Sequence, residues 1–296
     1  GVMQAVGDSR HPLYYLIISS VTNVCLDLLF IGVFRMGVDG AALATILAQF
    51  LSAALCLRRL FRTKEDHRLV LREIRPDREM LRLILRYGLP SGFQNSVIGF
   101  ANVVVQSNIN AFGELAMSGC GAYAKVEGFA FLPITSFTSA ITTFVGQNLG
   151  AEEFDRAKKG ARFGILCSLL IAEGIGVITY VFSPVFIGAF CDSQAAIAFG
   201  VDKAHICALF FCLLAATHCL SAVLRGAGRA MVPMVVMLSV WCVLRVSILW
   251  IAVPITQSIN TVNWVYPITW SISTVVLLIY YHKSDWLHSF QREKAE

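Results

Sequence analysis

Long apolar runs separated by short polar stretches organise the chain. Residues 89–111, 204–224 and 261–281 contain no Asp, Glu, Lys or Arg. An uninterrupted apolar run of about 20 residues suits a helix that rises ~1.5 Å per residue across ~30 Å of hydrocarbon. The pattern predicts eight such helices, over residues 13–34, 37–57, 89–111, 122–147, 163–183, 200–224, 231–253 and 261–281. A β-barrel would instead alternate apolar and polar positions in segments of roughly ten residues, which these runs do not do.

Composition sharpens this to an all-α polytopic membrane protein. Of 296 residues, 56% are hydrophobic and 15% charged, with a mean hydropathy of +0.67; a soluble domain carries nearer ~25% charge. The net charge of +5 does not point to nucleic acid, because the charges lie between spans and form no single basic face. Their distribution sets orientation. Arg10, the 58–86 segment, the 148–162 loop, Arg225, Arg229 and the tail after Tyr281 hold 20 of the 24 basic residues, whereas the opposite loops hold only Arg35. By the positive-inside rule the first set, with the C-terminus, is cytoplasmic. The nine cysteines sit mostly within apolar runs, with no CxxC or Cys/His metal spacing, and read as small buried hydrophobes. The chain begins at Gly1 with neither Met nor a signal-peptide pattern, and so reads as truncated.

The polar stretch 58–86 divides the chain. Arg75-Pro76-Asp77 offers a break and a helix N-cap there, and the basic residues suit either a linker on an anionic leaflet or a plain topology anchor. Residues 3–12 (MQAVGDSRHP) and 224–233 (LRGAGRAMVP) repeat a pattern, with Gly7 matching Gly228 and Pro12 matching Pro233 at an offset of 221. A glycine turn followed by proline at a helix start has a physical basis, since Gly accepts positive φ and Pro suits a first turn. Both copies enter from the same side, as in a parallel repeat about the membrane normal. Six spans follow the linker but only two precede it, so symmetry predicts four more. The expected organisation is 1–57 as the last two helices of an N-terminal lobe, 58–79 as a cytoplasmic linker, 80–282 as a six-helix C-terminal lobe and 283–296 as a cytoplasmic tail.

QAVGDSRHP at 4–12, TNVCLDLLFIGVFRMGVDGAALAT at 22–45, GLP at 88–90, TTFVGQNLGA at 142–151 and LRGAG at 224–228 together resemble the MATE (multidrug and toxic compound extrusion) family of secondary antiporters. The resemblance implies a twelve-helix fold of two six-helix bundles, in a bacterial plasma (inner) membrane. It also implies a polar cation- or proton-binding site in the first bundle, built here from Asn23, Asp27 and Thr45. Asn23 and Asp27, four residues apart, share a helix face, and a carboxylate inside a membrane normally faces a cavity or partner; packing of Asp27 on Asn23 alone is the competing explanation. The NorM-like branch adds a Glu and an Asp in the second bundle, and neither 89–111 nor 204–224 offers one.

The remaining intramembrane charges are Lys125, Glu127, Glu173, Asp202, Lys203 and Arg245. Lys125 and Glu127 either face a substrate cavity or pair with charges such as Arg245. Asp202 and Lys203 are expected near the outer edge, solvated. The Asn- and Gln-rich face of 94–110 is either helix-packing glue or cavity lining. The function these features imply is an antiporter exporting drugs or other organic compounds, small organic cations among them, in exchange for protons or sodium ions. It would work as a monomer in the bilayer without a cofactor or a metal other than a coupling sodium. A lipid-linked precursor or polysaccharide flippase of the same superfamily is the alternative. An intramembrane hydrolase has only scattered residue types in its favour (Ser91, His205, His218), and no GxxxxGK[ST] loop supports ATP use.

Overall fold

The computed structural model describes residues 2–65, 67–73, 75 and 77–288. Among them, Pro76 of the expected break and residues 289–296 of the tail are not included. The described residues contain no strand, and eight long helical segments dominate: α1 Arg10–Val33, α2 Gly37–Arg62, α3 Arg78–Asn110, α4 Glu114–Gly150, α5 Phe154–Gly188, α6 Gln194–Gly226, α7 Met231–Thr256 and α8 Ile259–Lys283. Seven of them are long and apolar enough to cross a membrane. The exception is α3, 33 residues long, which carries the basic residues Arg78, Arg82 and Arg86 and then Gln94, Asn95, Asn102, Gln106, Asn108 and Asn110. The helices overrun the predicted spans, because hydropathy detects the apolar centre of a helix and misses its polar first and last turns. In particular α2 runs on to Arg62 and α3 starts at Arg78, inside the stretch expected to be a linker.

The chain divides into two compact units, Gly1–Asp77 and Arg78–Glu296. The first is an antiparallel pair, α1 on α2, with buried positions reserved for small residues: Ser19, Gly40, Ala44 and Ala48. Ser19 Oγ donates to the Ala48 carbonyl at 2.7 Å. Small side chains let two helix backbones approach, which in a membrane substitutes for the hydrophobic effect. The helix α1 changes from α to π geometry over Leu28–Val33, immediately after Asp27.

In the second unit α4 and α6 touch along their length. At one end a Cβ on Gly119 would collide with the Ala196 carbonyl, and one on Gly200 would lie 2.7 Å from the Gly119 carbonyl oxygen. At the other end a Cβ on Gly226 would lie 2.7 Å from the Thr142 carbonyl oxygen. A break in α6 gives it shape. Ala208–Phe210 form a 3-10 turn, the Ala208 carbonyl is pushed onto Gly176 of α5, and the freed Cys212 N–H donates to Glu173 Oε2 at 3.0 Å. Glu173 is thus an internal cap for a broken helix. The helix α7 has its own π segment, Leu238–Leu244, just before Arg245.

Three apolar clusters stack along this unit. The middle one contains Tyr123, Phe211, Trp241 and Trp270. One end contains Leu149, Ala157, Leu224, Ala227, Tyr281 and Trp286, and there the Phe154 ring meets the His288 ring with centroids 4.8 Å apart. Lys158, Arg162, Arg225 and Lys283 belong to that end, whereas Ile109, Ala116, Cys120 and Ile259 mark the opposite one.

The repeat reappears as backbone geometry. Gly7 has φ +87° and Gly228 φ +76°. The Gly7 N–H donates to Gln4 O at 3.0 Å and that of Asp8 to Met3 O at 2.9 Å; the Gly228 N–H donates to Arg225 O at 3.0 Å and that of Arg229 to Leu224 O at 2.8 Å. Both are Schellman caps, residue for residue at the offset of 221.

Candidate functional site

In the first unit, Asn23 and Thr45 meet across the two helices, Asn23 Nδ2 donating to Thr45 Oγ1 at 3.5 Å, while Thr45 Oγ1 donates to Ala41 O at 2.9 Å. Asp27 lies one turn further along α1, half-buried, and its Oδ1 is shut off from solvent with no hydrogen-bond partner. A buried carboxylate oxygen without a donor is costly, and a proton or a small cation is what would satisfy it. Asp27 is also the last α-helical residue before the π segment. Single π turns recur at functional positions because they redirect side chains without ending the helix.

The second unit holds a cavity of about 380 Å3 between α3, α4, α6, α7 and α8. Of the three charged residues singled out there from sequence, Glu127 and Arg245 line it. Lys125 does not: its side chain is exposed, with Nζ 5.2 Å from the centre of the Phe190 ring. Two residues apart on a helix are about 200° apart around its axis, so Lys125 and Glu127 could not share a face.

Lys203 is the residue that sequence reasoning misplaced. It is 4% exposed and lines the cavity, its Nζ 4.7 Å from the Tyr266 ring centre and 5.5 Å from that of Tyr123. The error was one of helix start. With α6 beginning at Gln194 instead of residue 200, Lys203 lies nine residues in, about 14 Å along the axis. The signal was the small-residue stripe Ala196, Gly200, Ala204, Ala208, which marks a buried face beside it. Asp202, next door, is exposed.

Arg245 is 1% exposed, and its guanidinium carbon lies 4.8 Å from the ring centres of both Trp241 and Tyr266. One terminal nitrogen donates to Thr269 Oγ1 at 2.7 Å, and Nε has no partner. The aromatic wall is fixed from behind: Trp241 Nε1 donates to Ser273 Oγ at 3.2 Å, within a buried hydroxyl network in which Thr217 Oγ1 lies 3.0 Å from Ser273 Oγ and 2.8 Å from Thr274 Oγ1. His218 stands edge-on to Phe131 and Trp241, at 5.0 and 5.7 Å between ring centres. From α3, Asn102 and Gln106 reach the cavity, whereas Asn108 bonds its own helix at Val104 O and Gln94 is buried, so part of that polar face lines the cavity.

Ser91, His205 and His218, the residue types named for a hydrolase, have separate partners. Ser91 Oγ donates to Tyr87 O in its own helix, His205 Nε2 lies 3.2 Å from Ser183 Oγ, and His218 sits among aromatic rings. No group of three His, Cys, Asp or Glu among the described residues could hold a metal ion.

A sequence profile of the MatE family matches residues 90–251. The chain belongs to the MATE family. Members of this family are membrane transporters and not enzymes, in keeping with a multi-pass integral membrane protein. The chain is 28% identical over 288 residues to the probable multidrug resistance protein YoeA of Bacillus subtilis (strain 168), covering 94% of this chain and 62% of that protein. It is 32% identical over 246 residues to the probable multidrug resistance protein YpnP of the same organism, covering 82% and 54%. The chain therefore spans between half and two thirds of the length of these relatives. A crystal structure of MATE in the bent conformation superposes with a TM-score of 0.85 at 21% identity, covering 98% of this chain and 64% of the other, which is a likeness of fold.

Proposed function

We propose that the chain is part of a secondary active antiporter that exports drugs or other organic compounds in exchange for protons or sodium ions. On this reading α1 and α2 belong to one lobe and α3–α8 form the other, with all eight helices crossing a bacterial plasma membrane and the basic ends facing the cytoplasm. The relatives named for multidrug resistance favour drug export over the flipping of lipid-linked precursors.

The observation that carries the coupling is the unpartnered Asp27 Oδ1 beside the Asn23–Thr45 pair. A cation can drive transport only by binding one conformation of the carrier more tightly than the other. A lone carboxylate oxygen inside a helix pair can make such a difference, because any rearrangement that brings a donor to it or takes one away changes its affinity for a proton or sodium. The test is Asp27→Asn in membrane vesicles with an imposed proton or sodium gradient. Gradient-driven efflux of a fluorescent drug is lost, while expression and insertion stay at the unmutated level. Efflux at the unmutated rate would remove Asp27 from the mechanism.

A further inference from the structure

The charges of the second-unit cavity do not balance. Two permanent or near-permanent cations, Lys203 and Arg245, and one carboxylate, Glu127, face it, together with the neutral-capable side chains His218, Tyr266 and Cys120. Glu127, Lys203 and Arg245 line one cavity, yet none of the ion pairs found among the described residues includes any of the three. An uncompensated cation in a low-dielectric interior is costly, and aromatic faces offset only part of that cost. Arg245 in particular is almost wholly buried, with Nε unpartnered. A planar guanidinium with a free N–H beside a cavity suits a carboxylate or another planar oxyanion.

The rest of the wall says what should be attached to that anion. Trp241, Tyr266, Trp270 and Phe131 line the same space, and Asn102 and Gln106 supply polar groups opposite. A volume of about 380 Å3 is within the usual range for a small-molecule site, about 300–1,000 Å3. Stacking against those rings selects a flat ring system over an aliphatic chain or a bare inorganic ion.

We propose that this cavity is a binding site for an aromatic organic anion, with Arg245 and Lys203 holding the negative group, the tryptophans and Tyr266 holding the ring, and Glu127 setting an upper limit on affinity by repelling it. The site rests on the export reading only for what becomes of the ligand afterwards, since binding itself requires no gradient.

The experiment is isothermal titration of the 296-residue chain in lipid nanodiscs, without any ion gradient, using three probes of one shape: 2-naphthoate, 2-naphthamide and 2-naphthylmethylammonium. Inorganic pyrophosphate is the fourth. Naphthoate binds tightest, about tenfold tighter than the amide. Arg245→Gln weakens naphthoate about tenfold and leaves the amide unchanged, whereas Glu127→Gln strengthens naphthoate severalfold, about threefold or more. Because the two variants move affinity in opposite directions, Glu127→Gln decides the matter if Arg245→Gln does not fold, and the unmutated chain tests the charge preference by itself. Tightest binding of the naphthylmethylammonium, no binding of any probe, or weaker naphthoate binding in Glu127→Gln would overturn the proposal. Pyrophosphate binding tighter than naphthoate would overturn its aromatic part and return the site to lipid-linked phosphates. Efflux at the unmutated rate in the Asp27→Asn experiment, which would remove Asp27 from the coupling mechanism, would touch none of these outcomes.

Discussion

At the scale of single residues, the turns between helices carry the clearest backbone constraints. The Schellman cap found at Gly7 and Gly228 recurs after α4, where Glu152 donates to Leu149 O at 3.2 Å and Glu153 to Asn148 O at 2.8 Å. Here the left-handed position, φ +62°, belongs to Glu152, which has a Cβ to accommodate. Relieving that conformation is worth about 1 kcal/mol, less the entropy a glycine loses on folding. Glu152→Gly therefore raises the thermal midpoint in detergent, and Gly7→Ala lowers it. At Gly7 no neighbour lies within 4 Å of an added Cβ, so its penalty is conformational and not steric. A second residue-level effect concerns pH. Slight burial nudges the Asp8 carboxyl upward, but the His11 backbone N–H, 3.3 Å from Oδ1, and the His11 ring, 2.7 Å from Oδ2, outweigh it and hold the group below its ordinary value. A carboxylate stabilised in this way contributes above its unfolded-state pKa and loses that contribution as pH falls through its folded-state value. The stability difference between the unmutated chain and Asp8→Asn should thus be present at neutral pH and vanish in strong acid, as followed by melting curves from pH 7 to about 3. A difference that persists undiminished in strong acid would reverse the assignment.

Among the helices, legibility from sequence followed the physics of each signal. Among the described residues hydropathy located seven long helices, because about 20 apolar residues in a row have few other uses, and the polar α3 falls outside that rule. It placed the ends poorly, and the cost of that was Lys203, which a helix start six residues earlier moves from the rim to the cavity. The Asn23/Asp27 face and the offset repeat were readable because helical and turn geometry are local. The π segments at Leu28–Val33 and Leu238–Leu244, which adjoin Asp27 and Arg245, left no mark in hydropathy, since they change the winding and not the polarity of a helix. Close helix approach was equally hidden: of the many glycines, only those facing another backbone matter. Gly119 faces the Ala196 carbonyl, whereas Gly121, two residues on, has nothing within 4 Å. Gly119→Ala should force α4 and α6 apart and cost about 2 kcal/mol or more, since neither backbone can yield locally. Gly121→Ala should be neutral or stabilise by up to about 1 kcal/mol through helix propensity. The pair is read by thermal unfolding of the two variants in the same detergent, and equal effects would mean that the close approach does not hold α4 to α6.

For the whole molecule, the charge distribution along the sequence and the packing of the second unit make one argument about direction. Tyr281, Trp286, Phe154, Leu224 and Ala227 pack into one end cluster, so the helix ends carrying Lys158, Arg162, Arg225 and Lys283 lie together. Phe112, at the turn between α3 and α4, packs with Ile109, Cys120 and Ile259 at the opposite end, where neither Gly113 nor Ser258 has a basic neighbour in sequence. Insertion that retains Lys and Arg in the cytoplasm can satisfy such a bundle in only one orientation. Reporter fusions test it. Alkaline phosphatase, active only outside the cytoplasm, should be active when joined after Gly113 or Gln257 and inactive after Ala151 or Gly228, while a fluorescent protein that folds only in the cytoplasm gives the opposite pattern. Gly7 and Gly228, which close the same cap, provide an internal check: a parallel repeat predicts that a fusion after Gly7 behaves like one after Gly228. Phosphatase activity at Gly228 but not at Gly113 would invert the orientation, and opposite behaviour at Gly7 and Gly228 would make the repeat antiparallel.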